Sequence, residues 1–129
     1  DVFNHGHHRR DFTYIDDIVE GVVRAADRIA TPSNLWNPQA PDPAISSAPY
    51  RLYNIGNNQP VGLLDFIAAI EKAVGRKAKM NMLPMQKGDV EATYADIDAL
   101  RDAVGFSPST PIEDGVARFV EWYRGYYGV

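Results

Sequence analysis

Between Arg9 and Gly21 the chain changes period: Phe12 and Tyr14 alternate with Asp11 and Thr13, and from Ile15 onward apolar residues recur at three- and four-residue spacing. Alternation is the period of a strand and the wider spacing that of a helix, so a short strand over 10–15 must run directly into a helix. Ile15, Ile18, Val19, Val22, Ala26 and Ile29 form one apolar stripe along that helix, and such a stripe is expected to face a core. Asp17 with Glu20 fits a capping box that satisfies free backbone donors at the helix start. Capping accounts for the adjacent carboxylates Asp16 and Asp17 without acid/base or metal chemistry. Arg9 and Arg10 stand at the entry to this unit. A guanidinium offers a planar fork of donors that matches phosphate oxygens and keeps its charge, so it can hold a diphosphate there; a solvated basic turn is the alternative.

Further along, the pattern predicts more α/β structure. Residues 31–50 hold five prolines with several Ser and Asn, which excludes a regular ladder and makes a long loop, either a mobile insertion or a lid, with Trp36 the side chain there suited to dock onto an apolar surface. Residues 51–56 return to a strand pattern, and Asn57 and Asn58 suit the turn after it. Leu63, Phe66, Ile67, Ile70 and Val74 make a second helical stripe, entered at Gly62 and closed by Gly75 at a left-handed cap. Residues 78–83 alternate like a half-buried strand, with Met80 and Met82 as core filler. Asp96 caps a short helix bearing Ile97, Leu100 and Val104 that Gly105 ends. Thr110-Pro111-Ile112-Glu113 starts a last helix with Ile112, Val116, Phe119, Val120 and Tyr123 on its buried stripe. Trp122, Tyr126 and Tyr127 read as core or interface rather than a platform for stacked bases.

Composition removes several function classes. With 129 residues the chain can bury one modest core but cannot hold a full dinucleotide fold and a substrate domain. A net charge of −4 argues against sequence-independent nucleic-acid binding, which needs excess basic groups. The absence of cysteine excludes disulfides and thiolate metal sites and is compatible with a reducing cytoplasm, the expected location. No apolar run reaches the length of a membrane span. His5, His7 and His8 invite a transition-metal hypothesis, but no fourth ligand is implied, so an exposed loop is expected and no metal site is assigned. In 84–93, Gly88 lets the backbone approach a ligand, and the Asp89 carboxylate can accept from both hydroxyls of a ribose; a plain Gly-Asp turn is the alternative.

The string RRDFTYIDDIVEG, followed in order by YNIGN, LPMQKGDV, TYAD, GFSPSTP and FVEWY, resembles the NAD-dependent nucleotide-sugar epimerases and dehydratases of the extended short-chain dehydrogenase/reductase family, above all the UDP-glucuronate 4-epimerases. The match is poor only at about 31–50. It implies an α/β fragment: the C-terminal, nucleotide-sugar-binding part of a Rossmann-type fold, with short strands and about four helices over 1–129. By the resemblance, Arg10 pairs with the diphosphate and Asp89 holds the ribose, while Gln86 stands where related galactose epimerases carry a second phosphate-binding arginine. Glutamine supplies no charge, so the sugar-acid branch tolerates it or Arg9 or Lys87 compensates. Family members have other residue types where His7 and His8 stand.

The family's glycine motif and Tyr-x-x-x-Lys are missing: no G-x-G-x-x-G is present, and none of the seven tyrosines has a lysine four residues later. The expectation is therefore a fragment without the N-terminal NAD-binding domain, inert alone, with no catalytic or cofactor-binding residue of its own. The resemblance implies NAD in the longer protein, a UDP-sugar substrate, interconversion of UDP-glucuronate and UDP-galacturonate at C4, and a homodimer when full length. A 4,6-dehydratase or decarboxylase, or a non-catalytic nucleotide-sugar module, is the alternative. The 51–55 strand resembles one that joins the sheet of the other half, so its free edge should make the fragment self-associate.

Overall fold

A computed structural model describes residues 1–129. Its elements run β1 (Arg9–Arg10), α1 (Ile15–Ala26), β2 (Val61–Gly62), α2 (Leu63–Val74), α3 (Asp98–Val104) and α4 (Ile112–Tyr127), preceded by a 3-10 turn at Phe3–Gly6. β1 pairs antiparallel with β2, Arg9 opposite Gly62 and Arg10 opposite Val61. On its other side Arg9 bridges Ala92 in parallel, giving its N–H to the Glu91 carbonyl while its own carbonyl accepts the Thr93 N–H. β1 is thus held from both sides, which fixes where its side chains leave the backbone.

The strand expected over 10–15 is only two residues long, and a carboxylate explains why. Asp11 accepts the N–H groups of Asn58 (3.1 Å), Gln59 (3.5 Å) and Ala95 (3.1 Å), and its own N–H goes to Thr93 Oγ1. Backbone donors that a ladder would use are taken by a side chain, so the chain stays extended and keeps its alternation without sheet partners. Gly56 is required beside it, because a Cβ there would lie 2.4 Å from the Ala95 Cβ and 2.8 Å from Asp11 Oδ2. Alternation then sends Phe12 the opposite way, where it stacks on Phe66 of α2 with ring centroids 4.1 Å apart.

α2 has the bounds its sequence predicts. Gly62 leads in with extended backbone, and Gly75, at φ 77°, ends it by returning its N–H to the Glu71 carbonyl. Glu71 also holds the chain after the turn, accepting from the Lys77 ammonium and the Ala78 N–H, which lower its pKa. α2 packs against α4, and α1 against α3. The core is small: Val2, Ala69, Ile97, Leu100 and Val116 are its buried apolar side chains.

Several expectations about this core are corrected. α1 turns Gly21 inward, close enough to Ile55 that a Cβ would meet its Cδ1 at 3.2 Å, while Ile15, Val19 and Val22 of the apolar stripe are exposed. The capping box does not form; Asp17 instead accepts from the Ser109 and Thr110 N–H groups, tying α1 to the entrance of α4, and Glu20 pairs with Arg24. Thr110 accordingly does not cap α4, whose N-cap is Pro111. Asp96 accepts the Asp98 N–H but sits one residue before the N-cap, Ile97. Residues 78–83 carry a single bridge, Met82 to Val2, and Met80 and Met82 are exposed rather than core. On α4, Val116 is buried, but Phe119, Trp122, Tyr123, Tyr126 and Tyr127 form an exposed run of mutually stacked and tilted rings. Residues 31–50 form the expected loop, braced by Ser33, Asn37, Asp42 and Ser46 side chains that accept N–H groups two residues on. Of the 51–56 strand only Arg51 is bridged, to Ile45, and the backbone of 53–56 makes no backbone hydrogen bond.

Candidate functional site

The two ends of the candidate site come from segments about eighty residues apart. β1 delivers Arg10. The second segment turns back at Gly88, whose φ of 84° is a conformation that glycine adopts without strain, and the turn is closed by the Asp89 N–H on the Gln86 carbonyl at 3.2 Å. This brings Asp89 against Arg10: Nη2 donates to Oδ1 at 3.0 Å, with side chains only 25% (Arg10) and 30% (Asp89) exposed. Nη1 of the same guanidinium donates to the carbonyls of Arg9 (2.9 Å) and Glu91 (3.1 Å), so its plane is fixed. The Val90 N–H donates to Asp89 Oδ1 as well, at 3.0 Å.

Arg10 and Asp89 are therefore a directed pair and not a solvated basic turn. A guanidinium oriented by two carbonyls keeps its cationic edge in one place, and a carboxylate beside it can exchange that edge for hydroxyl donors. Gln86 is brought to the same turn through its backbone only; its exposed side chain makes no hydrogen bond. Arg9 directs its guanidinium to the Pro60 carbonyl at 3.2 Å.

The third member of the site is His8, which the sequence reading puts in an exposed loop. It is 4% exposed, and its Nε2 lies 3.4 Å from Asp89 Oδ2. The signal was available in the alternation: His8 and Arg10 have the same parity, so extended backbone sends both side chains to one side. His5 and His7 are exposed, and no three His, Asp or Glu side chains are grouped to hold a metal ion. An apolar groove of about 700 Å³ lies elsewhere, between α2 and α4, lined by Phe12, Phe66, Ile70, Val116, Phe119 and Tyr123 among others. With Arg124 as its one charged side chain it offers little to a diphosphate. No helix is long and apolar enough to cross a membrane.

No family model matches the chain. Among individual proteins, it is 49% identical over 128 residues to a probable UDP-glucuronate 4-epimerase of Rhizobium meliloti, an alignment covering 98% of this chain and 38% of that one. It is 38% identical over 125 residues to UDP-glucuronate 4-epimerase 2 of Arabidopsis thaliana, covering 96% of this chain and 28% of the relative. The fold matches the crystal structure of a UDP-glucuronic acid 4-epimerase from Bacillus cereus in complex with UDP-glucuronic acid and NAD, with a TM-score of 0.73, 30% identity, and coverage of 98% of this chain and 35% of that one. The chain thus spans well under half the length of these relatives.

Proposed function

Because the chain belongs to the extended short-chain dehydrogenase/reductase family of NAD-dependent nucleotide-sugar epimerases and dehydratases, we propose that it is the C-terminal, substrate-binding part of an enzyme that interconverts UDP-glucuronate and UDP-galacturonate at C4. The observation that carries this reading is the 3.0 Å pairing of Arg10 with Asp89, since the resemblance gives these two residues the diphosphate and the ribose of one nucleotide. Arrival of the diphosphate takes over the Nη2 edge of Arg10, and the released carboxylate turns to the ribose hydroxyls. Binding energy is thereby spent on the nucleotide, away from the carbon that reacts, which leaves the sugar free to present either face. Gln86 lies at the end of the same turn and contributes polarity without charge.

Bound NAD supplies reversible hydride transfer in such enzymes. The residues of this chain offer it no cradle, having neither a glycine-rich strand-to-helix turn nor a Tyr-x-x-x-Lys pair, so NAD and the catalytic tyrosine and lysine belong to residues beyond these 129, and the 129 alone bind without turning substrate over. In the whole protein supplied with NAD, UDP-glucuronate should equilibrate with its C4 epimer, read by chromatography of the sugar nucleotides. A decarboxylated or 4-keto-6-deoxy product would assign the dehydratase or decarboxylase alternative, and no product with intact UDP binding would leave a nucleotide-sugar module.

The whole protein is proposed to act as a homodimer in the cytoplasm. The 129 residues by themselves should self-associate, because the Ile15, Val19 and Val22 face is exposed and the backbone edge of 53–56 is unpaired. Light scattering should give a mass above that of one chain; a monomer with a sharp melt well above room temperature would count against it.

A further inference from the structure

We infer that His8 is a positioning residue for the nucleotide clamp, holding the Asp89 carboxylate in place while Arg10 is engaged by a diphosphate. The inference rests on the proposed nucleotide reading and adds a residue to it. It starts from a conflict inside the pair. Asp89 is 30% exposed at its side chain and is neutralised by Arg10 Nη2. When that edge of the guanidinium turns to phosphate oxygens, the carboxylate keeps only the Val90 N–H on Oδ1. A partly buried carboxylate left with one backbone donor is costly and free to rotate, and a ribose would meet a poorly oriented acceptor.

His8 answers both needs. Its Nε2 faces Oδ2, the oxygen that neither Arg10 nor Val90 uses, at 3.4 Å. No other side chain apart from Arg10 forms an ion pair with Asp89. The imidazole cannot easily leave: it is 4% exposed, and its backbone is fixed by the Leu63 N–H on the His8 carbonyl at 2.8 Å, at the start of α2. Nε2 has no hydrogen-bond partner: its approach to Oδ2 lacks the alignment of a hydrogen bond. A buried ring nitrogen left short of a partner is unfavourable, and the group it faces is the one that the ligand releases. A shift of a few tenths of an ångström and a small rotation of the Asp89 carboxylate toward His8, as Arg10 lets go, converts the 3.4 Å approach into an Nε2–H donation to Oδ2. Oδ1, still holding the Val90 N–H, then offers the ribose the lone pair that Arg10 gave up, and the clamp closes as a unit.

The test uses UDP titrations of the whole protein by calorimetry. His8→Leu removes the donor and should raise the dissociation constant about three- to tenfold, the size of one hydrogen bond. His8→Gln, which can present an amide N–H in a similar place, should stay within about twofold of the parent by the same measure. In an Asp89→Ala background, His8→Leu should cost nothing further, because its effect passes through the missing carboxylate. A role in packing alone would weaken Leu and Gln variants alike and add to Asp89→Ala, and either result overturns the inference. A parent protein that binds UDP while His8→Leu binds equally well sinks the role of His8 alone; a parent that does not bind UDP sinks the nucleotide reading and this inference with it.

Discussion

Arg10→Ala in the whole protein should weaken UDP binding by about 1.5–3 kcal/mol, the range for a hydrogen bond to a charged group and roughly a ten- to hundredfold loss of affinity. The structure says why the loss should fall in that range and not lower. A guanidinium on a flexible stem would spend part of its gain on being ordered, whereas Arg10 is already held by the Arg9 and Glu91 carbonyls. Its contribution to the diphosphate is thus preorganised. The same carbonyls complicate the alanine variant, because the Glu91 carbonyl loses its side-chain donor, so the comparison needs Arg10→Lys. Lysine keeps the charge without the planar fork, and an intermediate affinity would separate geometry from charge. Calorimetric titration with UDP measures all three; unchanged affinity in Arg10→Ala would remove Arg10 from the clamp.

The site was partly legible in the sequence and the reasons differ by residue. Arg10 and Asp89 could be proposed from the chemistry of their side chains and from resemblance, but their 3.0 Å contact depends on β1 being gripped by both β2 and residues 91–93, which no local pattern encodes. His8 was misread because the three histidines were weighed only as metal ligands and, lacking a fourth, assigned to an exposed loop, whereas the backbone of His8 is tied to the start of α2 and its ring is buried facing Asp89. Among the elements, α2 was read to the residue because a helix and its glycine cap are local in sequence. Strands fared worse. The 10–15 strand shrank because the Asp11 carboxylate took the donors of three distant residues, a substitution that alternation cannot announce. α1 shows the limit of a stripe: its period gave the helix, yet the helix turns Gly21 inward against Ile55 and leaves Ile15, Val19 and Val22 exposed, a rotation that the period does not set.

Leu100→Ala should cost about 2–5 kcal/mol of folding stability, the usual range for a buried leucine whose cavity does not collapse. Leu100 is the one large side chain with no exposure at all. It projects from α3, a helix of seven residues too short to persist by its own hydrogen bonds. α3 therefore exists because Leu100 and Ile97, three residues apart on one face, are buried, and because α1 packs against it. Removing three carbons at that point loses apolar burial and leaves a void among the few buried side chains. With so few buried apolar side chains the net stability of the fold is small, so a loss of this size takes a large fraction of it. Urea unfolding should show a lower midpoint at unchanged slope. Leu35→Ala, in the long loop and 86% exposed, should stay within about 0.5 kcal/mol of the parent. If the two variants unfolded alike, the anchor of α3, and with it the support that α3 gives to α1, would have to be sought in another side chain.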